Sequence, residues 1–210
     1  MLKINEIYAS IQGESSHTGL PCIFVRLTGC NLRCSWCDTA YAFYKGNDLS
    51  IEETLQKVDK FSLPLVEITG GEPLMQEDVY PLMDALLEKG YRVMLETGGA
   101  LPIDKVPEKV IKILDIKCPG SGEEKKNHLE NLKLLGPHDE VKFVLLDRAD
   151  YEWSRELLKK QNLSSQVLFS PVYDKLDLKD LSQWILKDRL PVRLQTQLHK
   201  VIWNKDAIGV

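Results

Sequence analysis

The stretch Cys22-Ile23-Phe24-Val25-Arg26-Leu27-Thr28-Gly29-Cys30-Asn31-Leu32-Arg33-Cys34-Ser35-Trp36-Cys37 runs an apolar strand straight into a C-x3-C-x2-C loop. Three thiolates can hold three irons of a four-iron cube and leave the fourth iron without a protein ligand. An open iron is a place for chemistry, whereas a fully ligated cluster stores or passes electrons. The alternative is structural zinc, which normally takes four protein ligands and favours separated C-x2-C pairs. His17 or Cys118 is available as a fourth ligand for that reading.

Outward from this stretch, strand-like apolar runs alternate with helical periodicity. Candidate strands occupy 22–27, 65–68, 92–96, 111–116, 140–146, 167–169 and 191–194. Several are continuously apolar and rich in Val and Ile, as strands buried on both faces of a parallel sheet are. Helical patterns cover 51–58, 78–89, 123–135, 151–160 and 178–187. Ser50 is placed to cap the first, with Glu52 and Glu53 in its opening turn, and Gly90 to stop the second. The alternation predicts an α/β fold with right-handed crossovers. About six or seven such units are too few for a closed eightfold barrel, which leaves an open partial barrel of the (β/α)6 type with its site at the strands' C-terminal ends. Four loops should then share one rim: the cysteine loop, Thr69-Gly70-Gly71-Glu72-Pro73, Thr97-Gly98-Gly99 and Lys117-Cys118-Pro119-Gly120.

Composition is that of an ordinary globular chain: 210 residues, 43% hydrophobic, 28% charged, net charge −4. The mild acidity predicts no general attraction to nucleic acid or membrane. Lys125-Lys126 and Lys159-Lys160 read as solvated faces. The first ten residues alternate polar and apolar, unlike a secretory leader, and no apolar run is long enough to span a bilayer. Five cysteines, three of them clustered, suit metal ligation in a reducing cytoplasm better than disulfides.

With the cysteine run in place, Ile68-Thr69-Gly70-Gly71-Glu72-Pro73 resembles the GGE(P) motif of the radical S-adenosylmethionine (SAM) superfamily. Glu6-Ile7-Tyr8-Ala9-Ser10-Ile11-Gln12-Gly13-Glu14, Gly19-Leu20-Pro21 and Cys37-Asp38-Thr39 narrow the likeness. So do Glu96-Thr97-Gly98-Gly99, Asp115-Ile116-Lys117-Cys118-Pro119 and the tail Leu194-Gln195-Thr196-Gln197-Leu198-His199-Lys200-Val201-Ile202-Trp203. Together they resemble the 7-carboxy-7-deazaguanine synthase family nearly end to end. The resemblance implies a single radical SAM domain over 1–210. It also implies conversion of 6-carboxy-5,6,7,8-tetrahydropterin to 7-carboxy-7-deazaguanine, with ring contraction and loss of ammonia, toward queuosine and related 7-deazapurines.

Carried over residue by residue, the likeness implies a [4Fe–4S] cluster on Cys30, Cys34 and Cys37. SAM would lie against Trp36, Cys37, Asp38, Gly71, Lys117, Cys118, Pro119, Ser170, Pro171, Val172 and Tyr173. The pterin would meet Gln12, Gly13, Glu14, Arg26, Thr69 and the carboxyl-terminal Val210, with Thr39 the protein ligand of a Mg²⁺. Chemically, an amide and a carboxylate suit an aminopyrimidinone edge, and a guanidinium suits a carboxylate. Each has a plainer reading. Arg26, mid-strand, needs a carboxylate partner or an outward face, and Thr39 could cap a turn. Trp36 could cover apolar surface. Cys22 reads as core and Cys118 as a pocket wall. His17, His128 and His138 read as surface, and His199 has no assigned role.

Two positions depart from the family pattern: Ser15 and Gly98 stand where glycine and Asn or Ser are usual. Expected partners are a small-molecule pterin, a reductant protein such as flavodoxin or ferredoxin, and a second copy in a homodimer, with neither nucleic acid nor membrane. Two rivals share part of the pattern. A glycyl-radical activating enzyme would keep the cysteines and lack the Gln-Gly-Glu segment and the tail. A non-catalytic Fe–S or zinc module would need no strand-end convergence.

Overall fold

A computed structural model describes residues 1–205 and 207–210. The chain opens with β1 (Leu2–Ile11), antiparallel to β2 (Pro21–Leu27). The short β3 (Asn47–Leu49) pairs with the other edge of β1. From β2 onward every pairing is parallel: β4 (Leu65–Gly70), β5 (Arg92–Thr97), β6 (Ile111–Ile116), β7 (Glu140–Leu145), β8 (Gln166–Pro171) and β9 (Arg193–Leu194). The order β3-β1-β2-β4-β5-β6-β7-β8-β9 has free edges at both ends, so the mostly parallel open sheet expected from the apolar runs is what forms.

The helices are α1 (Ile51–Asp59), α2 (Val79–Glu88), α3 (Arg148–Lys159), α4 (Leu178–Asp188) and the single turn α5 (His199–Ile202). Ser50 closes a capping box on α1, accepting from Glu53 N–H at 3.1 Å while Glu53 accepts from Ser50 N–H at 2.7 Å. Asp147 caps α3 by accepting from Ala149 and Asp150 N–H, and Asp177 caps α4 by accepting from Lys179 N–H. The apolar stripes of α2, α3 and α4 pack on one face of the sheet. Val79, Leu82, Met83, Leu86, Tyr151, Leu181 and Ile185 meet Val25, Ile68, Leu95, Leu114, Val141 and Phe143 there.

The opposite face is the barrel interior, and it is divided by height. Near the strands' N-terminal ends, Cys22, Phe24, Leu65, Met94, Ile111 and Ile113 form a separate apolar cluster. Two residues further along the same strands, the inward positions turn polar: Arg26, Glu67, Glu96 and Asp115 line a cavity together with Thr69 and with Lys142 of β7. Because side chains alternate faces along a strand, this step from apolar to charged marks the depth at which the core ends and the site begins.

The sequence reading needs three corrections here. The alternation in the first residues, read only as the absence of a leader, is strand β1 itself. The 123–135 segment is two short 3₁₀ pieces, Glu124–Lys126 and Leu129–Leu134. Asn127 explains the break: its amide bonds both backbone groups of Lys117 (2.9 and 2.9 Å), and Asn131 does likewise for Ile103 N–H and Leu101 C=O. Such side-chain bonds draw the backbone away from a continuous helix. His17, read as surface, is half-buried with Nδ1 3.9 Å from Glu140. Among the described residues no helix is long and apolar enough to cross a membrane.

Candidate active site

A cavity of about 660 Å³ opens at the C-terminal ends of the parallel strands. The cysteine loop leaves β2 through Gly29 and is bolted to the loop after β6. Arg33 N–H donates to Glu123 at 2.8 Å, Ser35 N–H to Ser121 C=O at 3.0 Å, and Ser35 Oγ to Gly120 C=O at 2.9 Å. Leu32 is buried in the loop at 2% exposure. Cys30, Cys34 and Cys37 are free thiols that line the cavity together. Leu32 N–H points at Cys30 Sγ (3.4 Å) and Thr39 N–H at the Cys37 sulfur.

Burial pushes all three thiols up, Cys34 to about 11, against the pull of Lys117. Among the described residues no three His, Cys, Asp or Glu side chains converge to hold one ion. Ligands of three different irons in a cube stand further apart than ligands of a single ion. Soft thiolate donors, amides aimed at sulfur and a nearby lysine therefore fit an iron–sulfur cluster.

Gly71 carries the second motif. Its N–H donates to Leu27 C=O at 3.2 Å and Glu72 N–H to Gly29 C=O at 2.8 Å, so the GGE turn lies against the start of the cysteine loop. A Cβ on Gly71 would stand 2.2 Å from Gly29 O and 2.6 Å from Cys30 Cβ. Those atoms belong to backbone or its first side-chain carbon and have nowhere to move. Gly71→Ala should therefore push β4 off the cysteine loop, a strain of about 1–3 kcal/mol by the usual cost of overpacking. At least a tenfold loss of turnover with iron content reduced is expected, as anaerobic initial rates and iron analysis would read.

Glu72, by contrast, faces away from the cavity. Fully buried, it accepts from Thr97 Oγ1 (2.8 and 2.9 Å), Gly98 N–H (2.8 Å) and Leu74 N–H (3.0 Å), tying the end of β4 to the end of β5.

The residues expected to meet SAM divide. Trp36, Cys37, Asp38, Gly71, Lys117, Ser170, Val172 and Tyr173 line the cavity. Cys118, Pro119 and Pro171 do not, and this corrects the pocket-wall reading of Cys118. Its side chain turns into the core beneath α3, with Sγ 3.3 Å from Ser154 Oγ. Strand alternation sends Lys117 inward and its neighbour outward. Lys117 Nζ meets Asp115 Oδ2 at 2.9 Å. Burial opposes its charge, and Asp115 and the Cys34 sulfur more than compensate.

All of Gln12, Gly13, Glu14, Arg26, Thr69, Thr39 and Val210 line the same cavity. Arg26 has its carboxylate partner in Glu6 (Nε–Oε1 2.7 Å) and a second bond to Tyr8 Oη (3.0 Å). These partners keep it cationic against burial. Thr39 Oγ1 donates to Asp38 Oδ1 at 2.9 Å and caps no helix through its side chain.

Ser15, the departure from glycine, adopts a left-handed backbone at φ 64°, a conformation glycine takes without strain. Its C=O accepts from Thr18 Oγ1 and Gln195 Nε2, and its Oγ from His17 N–H, which holds the turn in place.

Sequence reasoning missed the charged floor. Lys142, 3% exposed, reaches Glu14 Oε2 at 2.7 Å, makes a short contact with Glu96 and lies 3.7 Å from Asp115. Burial opposes Lys142's charge, and these carboxylates hold its pKa well above the ordinary range. Glu14 falls to about 2, Lys142 outweighing burial there, whereas burial pushes Glu96 up. The signal was present: Glu67 is the lone charge in the buried strand LVEITG, and Lys142 joins Glu140 as a charge in the mostly buried EVKFVL.

Val210 was expected at the site, but the contacts that the tail makes through Gln197, Leu198, His199 and Lys200 were missed. Gln197 Nε2 donates to Glu14 Oε1 at 2.9 Å, Lys200 Nζ to Asp38 Oδ2 at 2.6 Å, and Leu198 N–H to Gly13 C=O at 2.9 Å. His199 packs so closely on Gly13 that a Cβ there would stand 2.3 Å from its ring nitrogen.

A partial barrel whose three-cysteine loop faces a glycine-lined cavity is the arrangement of the radical SAM superfamily, whose profile matches residues 24–119. The 7-carboxy-7-deazaguanine synthase of Koribacter versatilis is 50% identical over 226 residues, covering all of both chains. That of Chlorobaculum tepidum is 46% identical, covering all of this chain and 97% of its own. The crystal structure of QueE from Escherichia coli superposes with a TM-score of 0.78 at 25% identity, covering 94% of each chain. Streptococcus suis SuiB bound to S-adenosylmethionine shares the fold, with TM-score 0.58 at 18% identity over 80% of this chain and 48% of its own.

The chain belongs to the 7-carboxy-7-deazaguanine synthase family of radical SAM enzymes. Membership implies a [4Fe–4S] cluster and SAM, and it sets aside both the activating enzyme and the non-catalytic module.

Proposed function

We propose that this chain, acting as one domain over 1–210, converts 6-carboxy-5,6,7,8-tetrahydropterin to 7-carboxy-7-deazaguanine with loss of ammonia. The observation that carries the reading is the shared cavity. The three thiols and the polar set Gln12, Glu14, Arg26 and Thr69 line one cavity, so a cluster held by the thiols would face a substrate held by the polar set.

Cys30, Cys34 and Cys37 would hold the cluster, which with SAM supplies the carbon radical that takes hydrogen from the substrate. Trp36, Gly71, Lys117, Ser170, Val172 and Tyr173 would hold SAM. Glu14 suits the donor edge of the aminopyrimidinone, because Lys142 and Gln197 keep it ionised and fixed in orientation. Arg26, still cationic beside Glu6, suits the substrate carboxylate. Thr39 Oγ1 is a hard donor of the kind Mg²⁺ takes, and Mg²⁺ bound there with Thr39 as its one protein ligand would complete its shell with water and the substrate carboxylate. A small-molecule substrate, a flavodoxin or ferredoxin as reductant, a homodimeric state and a cytoplasmic location complete the reading.

The test is anaerobic incubation of reconstituted protein with SAM, dithionite, Mg²⁺ and 6-carboxytetrahydropterin, followed by mass spectrometry. 7-Carboxy-7-deazaguanine is expected, and omission of Mg²⁺ should lower its yield. Accumulation of 5′-deoxyadenosine with no deazaguanine would leave the radical chemistry standing and overturn the pterin assignment.

A further inference from the structure

Strand β4 runs parallel between β2 and β5 with both faces covered, a setting that takes apolar residues, yet position 67 is glutamate at 2% exposure. Glu67 and Thr69, two residues apart, leave the same face of the strand and both line the cavity. Glu67 is the deeper of the two, flanked in register by Phe24 and Met94 of the apolar cluster. The two cations whose charge acts on Glu67 are engaged elsewhere: Arg26 with Glu6, Lys142 with Glu14 and Glu96.

What Glu67 holds is Gln12. Gln12 Nε2 donates to Glu67 Oε2 in a short bond, while Gln12 Oε1 accepts from Glu14 N–H at 2.9 Å. An amide whose oxygen is taken by an N–H must present its NH2 on the other side, so the partner at position 67 has to be an acceptor. From above, the tail presses on the same turn through Leu198, Gln197 and His199.

We propose that Glu67 is a positioning residue for substrate binding: by gripping the Gln12 amide from beneath, it sets the Gln12-Gly13-Glu14 turn, and with it the Glu14 carboxylate, against the incoming pterin. This rests on the assignment of that turn to the substrate. Burial, with Glu96 and Glu14 adding to it, pushes the Glu67 carboxyl well above the ordinary range. A neutral carboxyl still offers its carbonyl oxygen to Gln12 and adds no further charge beside Glu14 and Glu96. An amide should therefore replace it, and an alkyl group should not.

Two measurements on the reconstituted holoenzyme test this. In steady-state kinetics with varied 6-carboxytetrahydropterin, Glu67→Leu should raise KM about tenfold or more while kcat falls less than about threefold, since ground-state positioning is what it loses. Glu67→Gln should restore KM to within about threefold of the starting enzyme. In a Gln12→Leu background the Glu67→Leu change should add little, because the contact is already gone.

Hydrogen exchange reads the clamp without turnover: the amides of 13–15 should exchange about tenfold faster in Glu67→Leu and not in Glu67→Gln. An unchanged KM in Glu67→Leu, equal losses in both variants, or a fall in kcat alone would each overturn the proposal. So would identical exchange at 13–15 in all three proteins, even if the unmodified enzyme failed to turn over the pterin, a failure that by itself would strike only at the functional assignment.

Discussion

Cys34→Ala is expected to reduce product formation to background and to strip the chain of most of its roughly four irons and four sulfides. Two remaining thiolates hold two corners of a cube, too few to retain it beside water. The fold should survive the change. Cys37 N–H bonds the Cys34 carbonyl and not its sulfur, and the loop stays fixed through Arg33 to Glu123 and Ser35 to Ser121. Apo forms of the two proteins should accordingly melt within a few degrees of each other. Cys118→Ala is the matching control. Its thiol is buried in the core against Ser154, so the variant should keep its iron and lose about 1–2 kcal/mol of stability to the small cavity left behind. Zinc ligation with Cys118 as a fourth ligand predicts the opposite, metal loss in both variants.

Lys142→Met should be the most destabilising single change on the cavity floor. The lysine is the cation that Glu14, Glu96 and Asp115 share at 4% side-chain exposure. Removing it leaves Glu14 and Glu96 buried without the lysine that pairs with both, a situation that costs about 3–5 kcal/mol. For a domain of this size that is a fall in Tm of roughly 6–20 °C.

The pH dependence carries the sign. Glu14, held at about 2 in the folded state and near 4.3 when unfolded, contributes stability that is full above its unfolded value and is lost as the pH falls toward 2. In Lys142→Met that contribution is gone, and the two carboxylates protonate more readily in the folded state. The deficit should therefore be largest near neutral pH and shrink as the pH drops through 5 to 3. Denaturant melts at several pH values would show it, and a deficit that grew on acidification would contradict the assigned network. Substrate KM should rise as well, because Glu14 loses the contact that orients it.

The fold was legible because its signals are local. Runs such as IKILDI and EVKFVL are apolar enough to declare strands covered on both faces, and the helices between them carry their own caps. The site's rim was legible for the same reason, since each motif directly follows its strand. The broken 123–135 segment was not, because Asn127 and Asn131 act by bonding loops some ten and thirty residues away. Lys142 was visible as an odd residue in a buried strand, but its partners come from residues 14, 96 and 115.

The sequence by itself determined the cysteine loop and its cluster chemistry, the glycine turn beside it, the parallel order of strands and the family. These depend on spacing along one stretch of chain, which covalent geometry and strand alternation carry into space unaided. Only the tertiary structure decided which way Lys117 and Cys118 face, that Glu72 ties two strand ends instead of entering the cavity, and that the tail straps Gly13, Glu14 and Asp38. It also decided that one buried lysine serves three carboxylates. Those outcomes are set by which distant groups must satisfy one another once water is excluded, and burial makes an unpaired charge or amide too costly for any other arrangement to persist.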